Sequence, residues 1–391
     1  MQKITLFSQI INKLNKNIFR RIINKHLSDK HSKGINSWTH LVSMLFCQFS
    51  KSNSLREISN GLKSATGNLN HMGIQKAPCK SSLSYINANR TWEIFQEYFY
   101  AQYEEFKAKA EFAKTKFRIR TKKILLLDSS LISLCLSVFD WAKYRRSKGA
   151  IKLHTLLDYD SCLPVYVHMT DGKKSDSVIA KEIPLPKDSL VVADRAYIDF
   201  DTLYKWHLSG NNFVIRLKTN IKFERLKEKK LPDGRDEHII IDEYIQLTET
   251  ATFNKYPKKL RRVVVYDAEH DRTIELITNQ FNWTASTIGE LYKQRWMIEI
   301  FFKEIKQHLK VKSFIGTSQN AVLIQIWTAL ITIMILKYLK QIAKYNWCLS
   351  NLIAFLRLNL FVKIDLQLWL DKPFEPIIDP VEDNYYQLYL F

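Results

Sequence analysis

Two short apolar runs, each closing on an aspartate, constrain the fold of this chain most. The first is KKILLLDSS, which reaches Asp128, and the second is SLVVADRAY, which reaches Asp194. Unbroken apolar runs of this length predict strands that are buried on both faces. Because a buried strand holds its backbone rigidly, a carboxylate at its end is well placed for chemistry at the sheet edge. The two runs therefore predict an α/β sheet with a carboxylate at each strand end.

The neighbouring segments continue the same alternation of strands and helices. Strands are predicted at 152–160, 163–172 and 211–218, and helices at 176–183 and 201–209. From 219 to 280 the sequence is highly charged and strand-like, with turns at 232–234 and 268–271 and the apolar-rich strands HIIIDEYI, RRVVVYDA and TIELIT. This segment is predicted to be a β-rich insertion in the α/β core.

The first 120 residues are helical in pattern and strongly basic. They carry 20 Lys and Arg residues against 7 Asp and Glu residues, within a chain of 391 residues and net charge +20. Such a surplus favours a polyanionic partner, usually nucleic acid, although a basic face without a partner stays an alternative. Ser54 and Ser81 are predicted N-caps. The candidate helices are Ile10–Ile23, Ser37–Phe49, Ser54–Leu62, Ser81–Asn89 and Arg90–Phe106.

A further helix, predicted over Leu291–Leu309, carries a mixed polar stripe opposite an apolar face. At 100° per residue the stripe holds Tyr292, Arg295, Glu299 and Lys306. A carboxylate flanked by cations suits a metal ligand beside phosphate-binding groups. The alternative is an ordinary surface helix with solvated charges.

Two strand-end aspartates and one helix glutamate are sufficient ligands for a pair of hard divalent cations, which prefer oxygen donors. The spacing in the sequence permits Asp128, Asp194 and Glu299 to converge but does not require it. Other carboxylates of the same region compete for the role: Asp140, Asp158, Asp160, Asp171 and Asp176.

The polar stripe fits the pattern Y-x2-R-x3-E-x6-K without a gap, and together with the DSS and VADRAY motifs it resembles the DDE transposases of the insertion-sequence-four family. The resemblance covers roughly 122–311. It implies an RNase H-like catalytic domain in which Asp128, Asp194 and Glu299 are catalytic and bind two Mg²⁺ ions, with Mn²⁺ able to substitute. Tyr292, Arg295 and Lys306 would contact DNA phosphates.

The resemblance also implies partners. These are double-stranded DNA, as terminal inverted repeats and target DNA, and a second copy of the chain in the DNA complex. Hairpin-forming relatives carry a Trp in the strand before the signature helix, whereas TIELIT has none, so Trp283 or Tyr266 could replace it. Trp296 is expected to pack as core or shelf. Arg195 is expected to pair with a phosphate or with a neighbouring carboxylate.

The predicted organisation is five-part. A basic DNA-binding helical domain spans 1–120, and the core spans 121–218 and 281–312 around the insertion at 219–280. A helical region at 313–391 is a candidate for dimerisation. Five cysteines without a C-x-x-C pair favour a reduced, intracellular protein. The resemblance to bacterial transposases implies a cytoplasmic, nucleoid-associated one. The longest apolar run, Ala321–Leu336, is interrupted by polar residues and is predicted to be a core helix, so no membrane role is expected. Among partners, no small-molecule substrate is expected.

Three functions remain open from the sequence. A transposase would cleave and join its own element's ends, whereas a metal-dependent nuclease or resolvase would use the same carboxylates but leave the Tyr, Arg and Lys stripe unexplained. A non-catalytic DNA-binding regulator would need no carboxylate at all. Joined products would distinguish the first from the second.

Overall fold

The computed structural model describes residues 4–30, 32, 34–109, 123–134, 141, 143–145, 148–230 and 238–375, with backbone course alone at 143–145 and 148. These residues form two compact units. One unit combines residues up to 110 with residues from 308 onward, and the other spans 111–307. The five-part organisation stays a prediction.

The unit that spans 111–307 is built on a single mixed sheet of ten strands. The strands are Lys123–Leu134 (β1), Lys143–Arg145 (β2), Lys148–Asp158 (β3), Leu163–Asp171 (β4), Ser189–Ala193 (β5), Asn212–Arg216 (β6), Phe223–Glu228 (β7), Ile239–Leu247 (β8), Leu260–Asp267 (β9) and Arg272–Thr278 (β10). The predicted α/β class is confirmed.

The strand order is β2-β3-β1-β5-β6-β10-β9-β8-β7, and β4 pairs with β3. Strands β1, β5 and β6 are parallel to one another, whereas β1 is antiparallel to β3. Residues 124–127 and 189–193 are buried without exception, as the unbroken apolar runs predict. This parallel centre is the part of the sheet that carries both aspartate motifs.

The segment from 219 to 280 contributes four strands to the same sheet. Strand β10 pairs antiparallel with β6 and with β9, so the hydrogen-bonded ladder continues from the parallel centre into this segment. The predicted turn at 232–234 lies outside the described residues. Buried ion pairs join β8 and β9; in one of them, Nε and one terminal nitrogen of Arg261 each donate to an oxygen of Asp242 at 2.7 Å.

Five helices accompany this sheet. They are Asp176–Ala180 (α7), Phe200–Leu208 (α8), Thr250–Phe253 (α9), Ala285–Lys293 (α10) and Trp296–His308 (α11). Helix α10 packs on β5, β6, β8 and β9. Gly289 permits this approach, because a Cβ atom there would lie 3.3 Å from a methyl carbon of Val265.

The other unit is helical throughout its described residues. Its helices are Leu6–Asn12 (α1), Lys16–His26 (α2), Ser37–Ser50 (α3), Leu55–Ser64 (α4), Lys80–Asn89 (α5), Glu93–Lys109 (α6), Gln319–Ile342 (α12), Leu349–Asn359 (α13) and Leu366–Asp371 (α14). Helix α12 packs against α3, α5, α6 and α13. It is long and apolar enough to cross a bilayer, yet 89% of its apolar window is buried inside the protein, so the prediction of a core helix is confirmed.

Two predictions about the first helices are wrong. The helix expected over Ile10–Ile23 is interrupted, because the Asn15 side chain accepts hydrogen bonds from the amides of Asn17 and Ile18 and starts a new helix there. The N-cap expected at Ser81 is Cys79, whose sulfur faces the amide of Ser82. The prediction for Ser54 is confirmed, since its hydroxyl accepts from the amide of Glu57.

Candidate active site

The two aspartates stand side by side at the carboxyl edge of β1 and β5. Leu127 of β1 and Ala193 of β5 are register partners in this parallel pair. Asp128 follows the first of them and Asp194 follows the second. Neighbouring strands lie about 4.8 Å apart, which places the two carboxylates within reach of a shared ligand. The prediction that β1 ends at Asp128 is wrong. The strand runs on to Leu134, because its antiparallel pairing with β3 continues after the pairing with β5 has ended.

The polar stripe is carried by two helices and not by the single helix predicted over Leu291–Leu309. Helix α10 ends at Lys293, a turn at Gln294 and Arg295 follows, and α11 begins at Trp296. Hydrogen bonds in the turn run back three residues, as from the Arg295 amide to the Tyr292 carbonyl at 3.0 Å. The Tyr159 hydroxyl donates to Gln294 at 3.0 Å and ties this turn to the end of β3.

The break does not scatter the stripe, because all four side chains still turn toward β1 and β5. The Arg295 guanidinium lies 3.4 Å from Asp128 and donates to Glu299 at 2.6 Å. The Tyr292 hydroxyl lies 3.5 Å from Asp194. Asp128 and Glu299 therefore flank one cation, and Asp194 faces the phenol one turn away.

Lys306 approaches the same strand two residues beyond Asp128. Its ammonium group donates to the Ser130 hydroxyl at 2.6 Å. The opposite face of α11 is buried at Ile298, Phe301, Phe302 and Ile305. The predicted division of this segment into a polar stripe and an apolar face is confirmed.

The electrostatics of Asp128 reflect how close these groups lie. The pKa of the Asp128 carboxyl is raised to about 6, mainly by burial; the charges of Glu299 and Asp194 contribute to the rise, and the Ser129 amide and Arg295 oppose it. Burial likewise raises the pKa of the Tyr292 hydroxyl. A site that penalises the ionised Asp128 in this way favours a counter-charge beside it.

The other predicted site residues lie apart from this group. Arg195 is exposed and has no carboxylate within ion-pair distance among the described residues. Trp296 is 60% exposed, so the interpretation of Trp296 as a core residue is wrong. The Asn279 side chain accepts from the amide of Phe213 at the start of β6, which is the sheet edge opposite Asp194. Trp283 comes four residues after Asn279 and lies toward that opposite edge.

Tyr266 is the better placed of the two aromatic substitutes. Tyr266 on β9 pairs with Thr273 on β10. Thr273 lies three residues before Leu276, which pairs with Arg216 at the end of β6. That position is on the same sheet edge as Asp194, three strands along the sheet. The Tyr266 hydroxyl donates to Asp271 at 2.7 Å and its ring is 37% exposed.

The competing carboxylates are occupied elsewhere or lie outside the described residues. Asp158 accepts from the hydroxyl and the amide of Ser161 in the turn after β3. Asp171 is exposed and accepts from the amide of Lys174. Asp160 is exposed in the same turn as Ser161. Asp140 is not among the described residues.

Sequence reasoning missed Arg216, and it did not predict the groups that surround Asp176. Arg216 follows Ile215, the register partner of Ala193, and its charge acts on Tyr292. Asp176 was considered as a rival ligand, but its oxygens face Lys152, His154 and Tyr197. Burial alone would raise the pKa of Asp176, yet hydrogen bonds from His154, Lys152 and Ser129 lower it below its usual range. The sequence offered one signal for the surroundings of Asp176. Tyr197, whose hydroxyl faces Asp176, is the tyrosine of the VADRAY motif.

The chemistry of the three carboxylates fits hard divalent cations. Oxygen-only ligands from two strands and one helix match the preference of Mg²⁺ and Mn²⁺. Among the described residues, the trio with ligand atoms all within 4.8 Å of one another is Asp267, Glu269 and His270, in the turn after β9. The ligand atoms of Asp128, Asp194 and Glu299 do not all lie within 4.8 Å of one another.

Comparison with known proteins agrees with this arrangement. Residues 119–335 match the family described as "Transposase DDE domain", and residues 2–75 match one described as "Domain of unknown function (DUF4372)". A probable transposase for insertion sequence element IS5377 of Geobacillus stearothermophilus is 30% identical over 60% of this chain and 62% of its own length. The putative transposase y4zB of Sinorhizobium fredii is 34% identical over 54% and 59%.

A third relative extends over more of the chain. It is a putative transposase for insertion sequence element IS4SA of Synechocystis, 24% identical over 74% of this chain and 80% of its own length. The matched region spans about three fifths of the length of each of the first two relatives. Since the family match covers more than half of the 391 residues, and the predicted resemblance to insertion-sequence-four transposases is confirmed, this chain belongs to the transposase DDE domain family.

Proposed function

We propose that this protein is the transposase of an insertion sequence, which binds the element's terminal inverted repeats and catalyses cleavage and strand transfer of DNA. The observation that carries the proposal is the meeting of Asp128 and Glu299 around Arg295, with Asp194 on the adjacent strand. Family membership supports the same activity.

The three carboxylates are proposed to hold two Mg²⁺ ions. When bound, such ions activate the attacking water or 3′-hydroxyl and stabilise the leaving oxygen. Asp128 stands between the other two ligands, and its unfavourable ionisation supports a role beside positive charge. Mn²⁺ is expected to substitute because it prefers the same oxygen ligands.

The cations of the stripe are proposed to bind the phosphates of the transposon end. Arg295 and Lys306 carry fixed positive charge to the edge where the aspartates stand, and Tyr292 adds a hydroxyl donor. Phosphate contacts of this kind position the DNA backbone and do not read its sequence. Arg216 is a further candidate for the same role, whereas Arg195 is a weaker one because it points to no group of the site in the described residues.

The fold of the catalytic part is proposed to be RNase H-like. The order β4-β3-β1-β5-β6, with three antiparallel strands followed by two parallel ones, supports this assignment. A hairpin intermediate would require an aromatic platform for a flipped base. Tyr266 is the favoured platform, since it lies on the edge where Asp194 stands.

The remaining assignments concern partners. The basic surplus of residues 1–120 supports their role in gripping double-stranded DNA, with target DNA as a second DNA partner. Because a transposon has two ends, we propose a homodimer in the DNA complex that acts at the bacterial nucleoid in the cytoplasm. Light scattering of the protein with and without the end duplex would measure the stoichiometry.

The decisive experiment is cleavage of a labelled duplex that ends in the element's own terminal repeat, with Mg²⁺ present. Wild type is compared with Glu299→Gln and with Glu290→Gln, the same change at an exposed position of α10. We expect wild type and Glu290→Gln to cut at the repeat edge and to join ends to target DNA, and Glu299→Gln to bind the duplex without cutting it.

Three results would contradict the proposal. Cleavage by Glu299→Gln would show that the Glu299 carboxylate is not required for the reaction. Cleavage without dependence on the repeat and without joined products would favour a nuclease. Specific binding without cleavage by the wild type would favour a regulator.

A further inference from the structure

A buried polar cluster stands directly behind the two aspartates. Its centre is Asp176, whose side chain is 17% exposed. One carboxylate oxygen accepts from Lys152 at 2.8 Å. The other lies 3.3 Å from the Tyr197 hydroxyl and 3.3 Å from a ring nitrogen of His154, which is fully buried. Both oxygens of Asp176 are therefore engaged by donors from β3 and from the turn after β5.

The cluster reaches both aspartate-bearing segments. Strand β3 connects the cluster to the first aspartate, because His154 is the register partner of Ser129 on β1, and the Ser129 amide donates to the Asp128 carboxylate at 2.8 Å. Tyr197 belongs to the short helical turn after Asp194, and its amide donates to the Asp194 carbonyl at 3.1 Å. One carboxylate thus links the residue after Asp128 to the turn that begins at Asp194.

We infer that Asp176 is a positioning residue that fixes the Asp128 and Asp194 segments relative to each other through His154, which pairs with Ser129, and through Tyr197. This inference rests on the proposed function, since it assumes that the two aspartates share metal ions. The physical reason is that ligand carboxylates must be held within about 0.5 Å of their productive geometry, and hydrogen-bonded groups behind the ligands supply that constraint. Buried in a low-dielectric region, the donors around Asp176 form strong and directional bonds.

On the other side of the aspartates, Arg295 contacts Asp128 and Tyr292 contacts Asp194, whereas the backbones behind them are no longer paired to each other. Strands β1 and β5 pair up to Leu127 and Ala193, and the pairing stops one residue before the carboxylates. Beyond that point the backbone of β1 follows β3, whereas the chain after β5 turns away into α8. Asp176 spans the place where the two backbones diverge.

The experiment measures Mn²⁺ binding to the purified full-length protein by titration calorimetry, without DNA. The variants are Asp176→Asn, which weakens the centre of the cluster, and Tyr197→Phe, which removes one hydroxyl and leaves the Lys152 ion pair intact. Matched controls are Asp171→Asn, an exposed carboxylate near the start of the same loop, and Tyr204→Phe on α8. Circular dichroism and end-duplex affinity are recorded for each protein.

We expect Asp176→Asn to weaken Mn²⁺ binding about 10–100-fold, the effect typical of groups that orient metal ligands. Tyr197→Phe should weaken it less, and the double variant should lose less than the product of the two effects because both act through one cluster. Duplex affinity and both controls should match the wild type. Cleavage by the variants should partly recover as Mn²⁺ is raised, which a purely structural defect would not do.

The inference is overturned if Tyr197→Phe and a folded Asp176→Asn bind Mn²⁺ within twofold of the wild type, or if the wild type binds no Mn²⁺. If Asp176→Asn does not fold, Tyr197→Phe decides alone. If the wild type binds Mn²⁺, the Asp176 and Tyr197 variants bind it more weakly, and the wild type still cleaves no end duplex, the proposed function is refuted. The positioning role of Asp176 then stands.

Discussion

Lys306 shows how a single side chain of α11 serves the proposed DNA contact. Its ammonium group reaches Ser130, two residues beyond Asp128, and keeps its charge at the carboxyl edge of the sheet. Lys303, one turn earlier, is exposed on the same helix. The two lysines share charge and helix but differ in the direction they face.

Replacing Lys306 by Ala should therefore weaken binding of the end duplex and reduce the slope of log affinity against log salt by about 1, because one phosphate contact is lost. The measurement is fluorescence anisotropy across a salt series. Lys303→Ala serves as the control with the smaller change. Equal slopes for the wild type and Lys306→Ala would reassign Lys306 to a structural role on β1.

His40 determines a pH dependence in the helical unit. The ring is fully buried, hydrogen bonds to Asn87 at 2.7 Å, and burial lowers its pKa from 6.5 to about 3, with Arg90 adding to the effect. The unfolded chain takes up a proton below pH 6.5 while the folded protein does not. The stability from neutral His40 is therefore complete above pH 6.5 and is lost as pH falls toward 3.

We predict that the free energy of unfolding of the wild type decreases with falling pH more steeply than that of His40→Gln. The difference should approach about 1.4 kcal/mol per pH unit below the unfolded-state pKa. Urea unfolding between pH 7 and pH 4.5 measures it, with His71→Gln, at a half-buried histidine of the same unit, as the control. Parallel curves for wild type and His40→Gln would show that His40 is protonated in the folded state.

At this scale the sequence was informative where the chemistry is local. Helix capping by Ser54 follows from a serine three residues before a glutamate, and it is found. The cap at Cys79 was not predicted, because a thiol is a rare cap beside two serines that are better suited to the role. The contact of Arg295 with Asp128 joins residues 167 positions apart, and no local pattern contains it.

Strands β8 and β9 bury an ion pair between them, and breaking this pair is expected to lower the free energy of unfolding strongly. Arg261 is fully buried, donates twice to Asp242, and donates again to the Trp283 carbonyl at 2.6 Å. A buried charge that loses its partner keeps its full desolvation penalty. At the other end of β9, Asp267 pairs with Arg272 of β10, whose side chain is 49% exposed.

We predict that Asp242→Asn lowers the free energy of unfolding by about 3–5 kcal/mol, because the Arg261 charge stays buried without its carboxylate. Asp267→Asn should cost about 0–1 kcal/mol, as exposed ion pairs do. Urea denaturation of the two variants makes the comparison. A similar loss in both variants would contradict the importance given to burial.

The break between α10 and α11 marks the limit of periodicity as a guide to elements. No proline or glycine interrupts residues 291–309, so the 100° pattern continues across the break. The cause is tertiary, since Tyr159 of the turn after β3 holds the Gln294 side chain. The polar stripe was nevertheless predicted correctly, because the short turn preserves the side of the chain that faces β1.

For the whole molecule, the main finding is that one compact unit is assembled from both ends of the chain. Helix α12 packs against α3, α5 and α6, which lie more than 200 positions earlier in the sequence. Sequence patterns predicted the N-terminal segments as helices and Ala321–Leu336 as a core helix, but they carry no information about which distant helix is the partner. The same limit applies to β10, whose pairing with β6 could not be inferred from the strand-like character of residues 219–280.

Deleting residues 1–109 should therefore leave α12 without its partners and expose a helix that is 89% buried over its apolar window. We predict that the shortened chain aggregates, and that co-expression with residues 1–109 as a separate fragment restores a soluble complex. Size-exclusion chromatography distinguishes the two results. A monodisperse shortened chain would show that residues 308–375 fold without the N-terminal helices.

The assembly of one unit from both ends also sets the order of events during protein synthesis. The Gln48 side chain bonds to the backbone of Gln325, 277 positions later. At a translation rate of about 5–20 residues per second, the first helices wait on the order of 15–55 s for this partner. Until then the apolar faces of α3 and α6 have no α12 to cover them. The nascent chain is therefore expected to depend on ribosome-associated chaperones, and a message cut short before codon 319 would yield a product that cannot complete this core.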